Sequence, residues 1–84
     1  MTDSNLIAGA LVLTPAKILN DFLMGKANLT ECPEGRAIVN TVIRSRNPAC
    51  LFEQIDNELP LGINVPATRK LFHRVLEKVI AQVA

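Results

Sequence analysis

The sequence predicts an all-α fold, a compact bundle of about five short helices. Apolar residues recur at helical spacing along most of the chain, and no segment alternates between apolar and polar residues over a useful length. Prolines that follow Thr, Cys or Asn divide the chain into short segments. Since 84 residues suit one small core, we expect residues 1–84 to form a single helical domain.

The first helix is predicted at residues 6–13, the apolar octet LIAGALVL. Its central Ala-Gly-Ala disfavours a strand, and residues 3–5 supply candidate N-caps. The octet falls far short of the roughly 20 residues that span a bilayer, and residues 1–5 lack the basic residues of a signal peptide. We expect this helix to cover the bundle's open side or the same patch of a second copy. The residues predicted at this apolar interface are Leu6, Ile7, Leu11 and Leu13.

The second helix is expected to start at Thr14-Pro15, with the threonine as its cap, and to end at a left-handed Gly25. Its apolar face comprises Ile18, Leu19, Phe22 and Leu23. Residues 26–30 are predicted to be a loop. The third helix should run from about Cys32-Pro33 to about Arg46. Its apolar stripe comprises Ile38, Val39, Val42 and Ile43.

The fourth helix is expected to open at Asn47-Pro48 and to end at Pro60. Its inward residues are Leu51, Phe52, Ile55 and Leu59. After a turn at residues 61–64, Asn64 is predicted to cap a fifth helix that runs close to the C-terminus. The apolar stripe of this helix comprises Phe72, Val75, Leu76, Val79, Ile80 and Val83.

The sequence contains few residues that could act in catalysis or bind a metal. Cys32 and Cys50 have no metal-site spacing, and we expect both to be reduced and buried in a cytoplasmic protein. The lone His73 lies four residues from both Arg69 and Glu77, a position typical of a solvated salt bridge. We therefore expect no enzymatic activity, no cofactor, no metal and no small-molecule substrate.

Charge is segregated along the chain, although the net charge is only +1. Bases dominate two helices and acids a third. The candidate basic interaction residues are Arg36, Arg44, Arg46, Arg69, Lys70, Arg74 and Lys78, and the acidic ones are Glu53, Asp56 and Glu58. These charges either join neighbouring helices of one bundle or attract separate copies head to tail.

Residues 51–79 resemble a helix-turn-helix unit, with Gly62 in the turn and Leu71 facing inward. The resemblance implies a recognition helix over residues 65–74. The side chains that would then contact DNA are Thr68, Arg69, Lys70 and Arg74. The chain departs from the pattern at Glu58, where a small residue is usual, and at Pro60, which shortens the preceding helix.

These observations together favour a non-enzymatic module for protein-protein interaction, one that self-associates or serves as an adaptor. The alternative is a small DNA-binding regulator that uses the helix 65–83. Binding to a membrane surface is not expected, because the octet at residues 6–13 has no cationic polar face.

Overall fold

A computed structural model describes residues 6–83 of the chain. Within this range the chain forms α-helices and no strand, which confirms the predicted all-α bundle. The five helices are α1 (Leu6–Leu13), α2 (Ala16–Leu23), α3 (Pro33–Arg44), α4 (Ala49–Glu58) and α5 (Pro66–Val83). A short 3₁₀ turn, Leu29–Glu31, precedes α3. The N-cap candidates predicted at residues 3–5 and the side chain of Leu6 lie outside the described residues.

Buried apolar side chains from all five helices form one cluster. α1 packs against α3 and α4, whereas α5 packs against α2, α3 and α4. The radius of gyration is 11.6 Å, close to the value of about 12 Å expected for a folded chain of this length. The most deeply buried side chains are Ile7, Leu11, Leu19, Leu29, Ile38, Ile55, Val75, Leu76 and Val79.

The breaks between helices fall where the prolines predict them, but two capping predictions are wrong. Thr14 ends α1 instead of capping α2, because its buried hydroxyl donates to the carbonyl oxygen of Ala10 at 2.7 Å. Asn64 does not cap α5 either. Its side-chain amide donates to the carbonyl oxygen of Asp56 at 3.0 Å, and its Oδ1 accepts from Arg69 Nη1 at 2.5 Å. Gly25 has φ +76°, which confirms the predicted left-handed helix end.

The segment at residues 26–30 is more ordered than the loop predicted there. It includes the start of the 3₁₀ turn, whose Leu29 is buried in the core. Glu31 accepts a hydrogen bond from the backbone N–H of Asn28 at 2.9 Å. The turn packs on α3 at Gly35, where a Cβ would lie only 1.9 Å from the carbonyl oxygen of Leu29. The chain therefore needs glycine at this position.

Three predicted burials are also wrong. Ile43 is 59% exposed. Ile38 and Val42 form the buried face of α3, and Ile43, the residue after Val42, points about 100° away from Val42 around the helix axis. Val83 is 40% exposed at the end of α5. Cys50 is exposed in the first turn of α4, whereas Cys32 is buried as predicted. α3 ends at Arg44, two residues before the predicted end.

Candidate interaction surface

An apolar groove opens between α1 and the segment that follows α4. Its volume is about 300 Å³, and its lining consists of Gly9, Val12, Leu13, Glu58 and Pro60. α1 buries Ile7 and Leu11 in the core, so helical periodicity turns the opposite face of α1 toward solvent. Leu13 is therefore 70% exposed and Val12 is 39% exposed at the groove.

Gly9 leaves open space at the groove. It lies one helical turn before Val12 and Leu13, and a Cβ at this glycine would meet nothing within 4 Å. Leu61 follows the lining residue Pro60 in the sequence and is 93% exposed. Contiguous exposed apolar residues of this kind are typical of a surface that binds another macromolecule.

Glu58 supplies the charge in this otherwise apolar lining. Its side chain is half-buried, and its Oε2 atom is buried without a hydrogen-bond partner among residues 6–83. Burying a carboxylate oxygen without a donor is costly, and buried polar atoms in folded proteins nearly always have partners. Because Glu58 is only half-buried and lines the groove, its carboxylate places a negative charge there.

The predicted apolar interface is only partly exposed. Leu13 lies on the groove, as an interface residue should. Ile7 and Leu11 lie in the core of their own chain instead, with 0% and 1% of their surface exposed. The octet was expected to cover either the bundle's open side or the same patch of a second copy, and α3 and α4 of the same chain cover the face that these two residues occupy.

Two of the four predicted basic residues of α5 form contacts within their own bundle. Arg69 lies 4.0 Å from Asp56 Oδ1 and donates to both oxygens of Asn64. Lys78 donates to the carbonyl oxygen of Phe22, and its ammonium lies 4.7 Å from the centroid of the Phe22 ring. Exposed Lys70 and Arg74 form no ion pair within residues 6–83.

The basic residues of the third helix remain at the surface. Arg36 and Arg44 are exposed on α3, and Arg46 is exposed just beyond it. Among the described residues, none of the three forms an ion pair; Arg44 Nε donates to the carbonyl oxygen of Asn40 at 3.4 Å. Ile43 lies beside Arg44 in the sequence and is also exposed. We call Ile43, Arg44 and Arg46 the α3 end.

The three predicted acidic residues do not form one surface. Glu53 is exposed on α4, Glu58 lines the groove, and Asp56 faces α5. His73 Nε2 lies 2.8 Å from Asp56 Oδ1, and the His73 ring meets Phe52 edge to face at 5.2 Å. The acidic partner of His73 is therefore Asp56 on α4 and not Glu77 on its own helix.

The arrangement of α4 and α5 differs from a helix-turn-helix unit in two respects. Residues 59–65 separate the helices, a longer connection than the 3–4 residues of that motif. Of the side chains predicted to contact DNA, Thr68 is half-buried and Arg69 is held by Asp56 and Asn64. Only Lys70 and Arg74 are exposed for such a role.

The two cysteines and the histidine lie in separate surroundings. Cys32 caps α3, where its Sγ accepts from the N–H of Gly35 at 3.3 Å and lies 3.6 Å from the carbonyl oxygen of Leu29. Within residues 6–83 there is no cluster of three His, Cys, Asp or Glu side chains that could hold a metal ion. No helix in that range is both long and apolar enough to cross a lipid bilayer.

Comparison with protein-family models, with curated proteins and with solved structures found no match for this chain. The groove was not predicted from the sequence, because it joins α1 to Pro60 across more than 40 positions. The available signal was Glu58, an acidic residue between the apolar residues of α4 and a proline.

Proposed function

We propose that this chain is a non-enzymatic helical module that binds protein, and that its partner is another copy of itself. The supporting observation is the apolar groove with exposed Leu13 and Leu61 beside it. Such a surface costs free energy in water and is stabilised when a second apolar surface covers it. The groove is too open and too apolar to hold a polar substrate firmly.

Charge complementarity supports self-association over an unrelated partner. The groove contains a carboxylate that has no hydrogen-bond donor within residues 6–83, and the α3 end of the same chain carries exposed arginines. Complementary charges on two surfaces of one chain favour contacts between copies and set their orientation. Such contacts weaken as salt rises, because exposed charges are screened over about 8 Å at physiological ionic strength.

Sedimentation velocity over a range of protein concentrations tests the proposal. We expect the average mass to rise above that of the 9.2 kDa chain with concentration, and to fall again with added salt. Leu13→Gln should shift the protein toward the monomer. Met24→Gln is the matched control, since Met24 is 64% exposed at the end of α2 and away from the groove. A wild-type chain that stays monomeric up to about 1 mM contradicts self-association.

A further inference from the structure

The α3 end places an exposed aliphatic side chain beside cations. Ile43 is 59% exposed, and its neighbour Arg44 lies at the last position of α3. A basic residue in the last helical turn is explained by the helix dipole, but an exposed isoleucine is not. The packing of the single bundle therefore does not explain why an isoleucine is exposed at the α3 end.

The groove sets two requirements for its occupant. Its apolar walls, including Val12, Leu13 and Pro60, call for an aliphatic side chain. The half-buried carboxylate of Glu58 in the lining calls for an N–H donor, and a cation best offsets its charge. An occupant that meets both must carry an aliphatic residue next to a lysine or arginine.

Several exposed basic residues could supply the cation. Lys17 is followed by half-buried Ile18, and neither Lys26 nor Arg36 has a large aliphatic residue at an adjacent position. On α5, Lys70 and Arg74 are exposed, but the apolar residue between them, Leu71, is half-buried. The α3 end instead offers both groups at adjacent positions. Arginine also presents several N–H donors in a planar fork that matches a carboxylate.

We infer that the groove of one copy receives the α3 end of a second copy. Ile43 fills the apolar groove, and the terminal guanidinium nitrogens of Arg44 donate to the carboxylate of Glu58. This inference rests on the proposed function and names the surface that the second copy contributes. The groove and the α3 end are different surfaces, so a single contact between two copies is heterologous and the pair retains one free groove and one free end.

A complementation experiment tests this arrangement by sedimentation velocity. Leu13→Asp blocks the groove, and Ile43→Asp blocks the α3 end. Each variant alone should be monomeric, but an equimolar mixture should form a 1:1 complex and nothing larger, since only one intact contact remains. Both substitutions are at exposed positions, and thermal melts monitored by circular dichroism check that each variant is folded.

The outcomes separate this inference from the proposed function. If wild type self-associates and Leu13→Gln weakens it, but Ile43→Asp behaves as wild type, the proposed function stands and the α3 end is not the occupant. A mixture that remains monomeric also overturns the head-to-tail contact. A wild-type monomer at every concentration overturns both.

The ion pair has its own test. Glu58→Gln and Arg44→Gln should each raise the dissociation constant about tenfold, the loss expected for one charged hydrogen bond. The double variant should lose little more than either single one, because both remove the same contact. Arg74→Gln, which removes an exposed arginine of α5, should leave the constant unchanged. Losses that multiply in the double variant would show that the two side chains do not meet.

Discussion

At the residue scale, Gly35 sets how closely the 3₁₀ turn approaches α3. A Cβ at this position would lie 1.9 Å from the carbonyl oxygen and 2.7 Å from the carbonyl carbon of Leu29. Both atoms belong to the backbone, so no side-chain rotation relieves the clash. The same turn carries buried Leu29 and Cys32, the residue that caps α3. Room for the turn therefore depends on one missing methyl group.

We expect Gly35→Ala to lower the free energy of unfolding by about 1–3 kcal/mol or more, the usual cost of overpacking. Gly9→Ala is the control, because its new methyl group meets nothing within 4 Å and alanine favours the helix. This control should stabilise the chain by about 0.5–1 kcal/mol. Urea denaturation followed by circular dichroism measures both changes. A Gly35→Ala variant as stable as wild type would show that the turn moves away freely.

For some single residues, the sequence does not determine which hydrogen-bond partner the side chain takes. Thr14 and Asn64 were both predicted as N-caps, since each precedes a proline-marked helix start. Their side chains bond elsewhere, Thr14 to the preceding helix and Asn64 to Asp56 and Arg69. Local sequence cannot decide between these partners, because the choice depends on how the helices on either side are packed.

At the scale of elements, Lys78 joins the end of α2 to α5. Its ammonium lies over the ring of Phe22 and donates to the carbonyl oxygen of the same residue, which also accepts from the backbone N–H of Gly25 at 3.1 Å. The contact links residues 56 positions apart and is partly buried. Lys78 was predicted to be a basic interaction residue, but here its cation contacts the bundle of its own chain.

Replacing Lys78 with methionine keeps the aliphatic stem and removes the charge. We expect Lys78→Met to lower the free energy of unfolding by about 1–2 kcal/mol, because a hydrogen bond and a cation–π contact are lost together. Lys70→Met removes the same charge from an exposed position of α5 and should change stability by less than about 0.5 kcal/mol. Equal effects in thermal or urea unfolding would mean that the contact with Phe22 contributes nothing.

The positions of the helices were largely predictable, because periodicity and proline breaks are local signals. All five predicted helices correspond to α1 to α5, and the end of α3 differs by two residues. The 3₁₀ turn was missed for a physical reason. Three residues carry no periodicity, and the turn is fixed by burial of Leu29 and by its approach to Gly35.

At the scale of the whole molecule, the groove depends on how distant segments meet. Hydrophobic periodicity predicted that the octet would be helical, but not that its inner face would be covered by α3 and α4 while Leu13 stayed exposed. Periodicity likewise does not show which residues of a stripe are covered, which is why the exposure of Ile43, at the edge of an apolar stripe, was not predicted. Such edge positions are buried only where a neighbouring helix reaches them.

Within the molecule, α5 offers few free cations to duplex DNA. Of the basic residues on α5, only Lys70 and Arg74 are exposed and lack an ion pair within residues 6–83. Two phosphate contacts give a slope of about −2 in a plot of log affinity against log salt concentration, which describes weak binding. Exposed Glu53 on α4 would further repel the phosphates.

We therefore expect fluorescence anisotropy at low salt to detect at most weak binding to a labelled duplex. The double variant Lys70→Glu with Arg74→Glu should remove the binding that remains. A tight affinity that falls steeply with salt and is lost in this double variant would instead identify α5 as a nucleic-acid-binding helix.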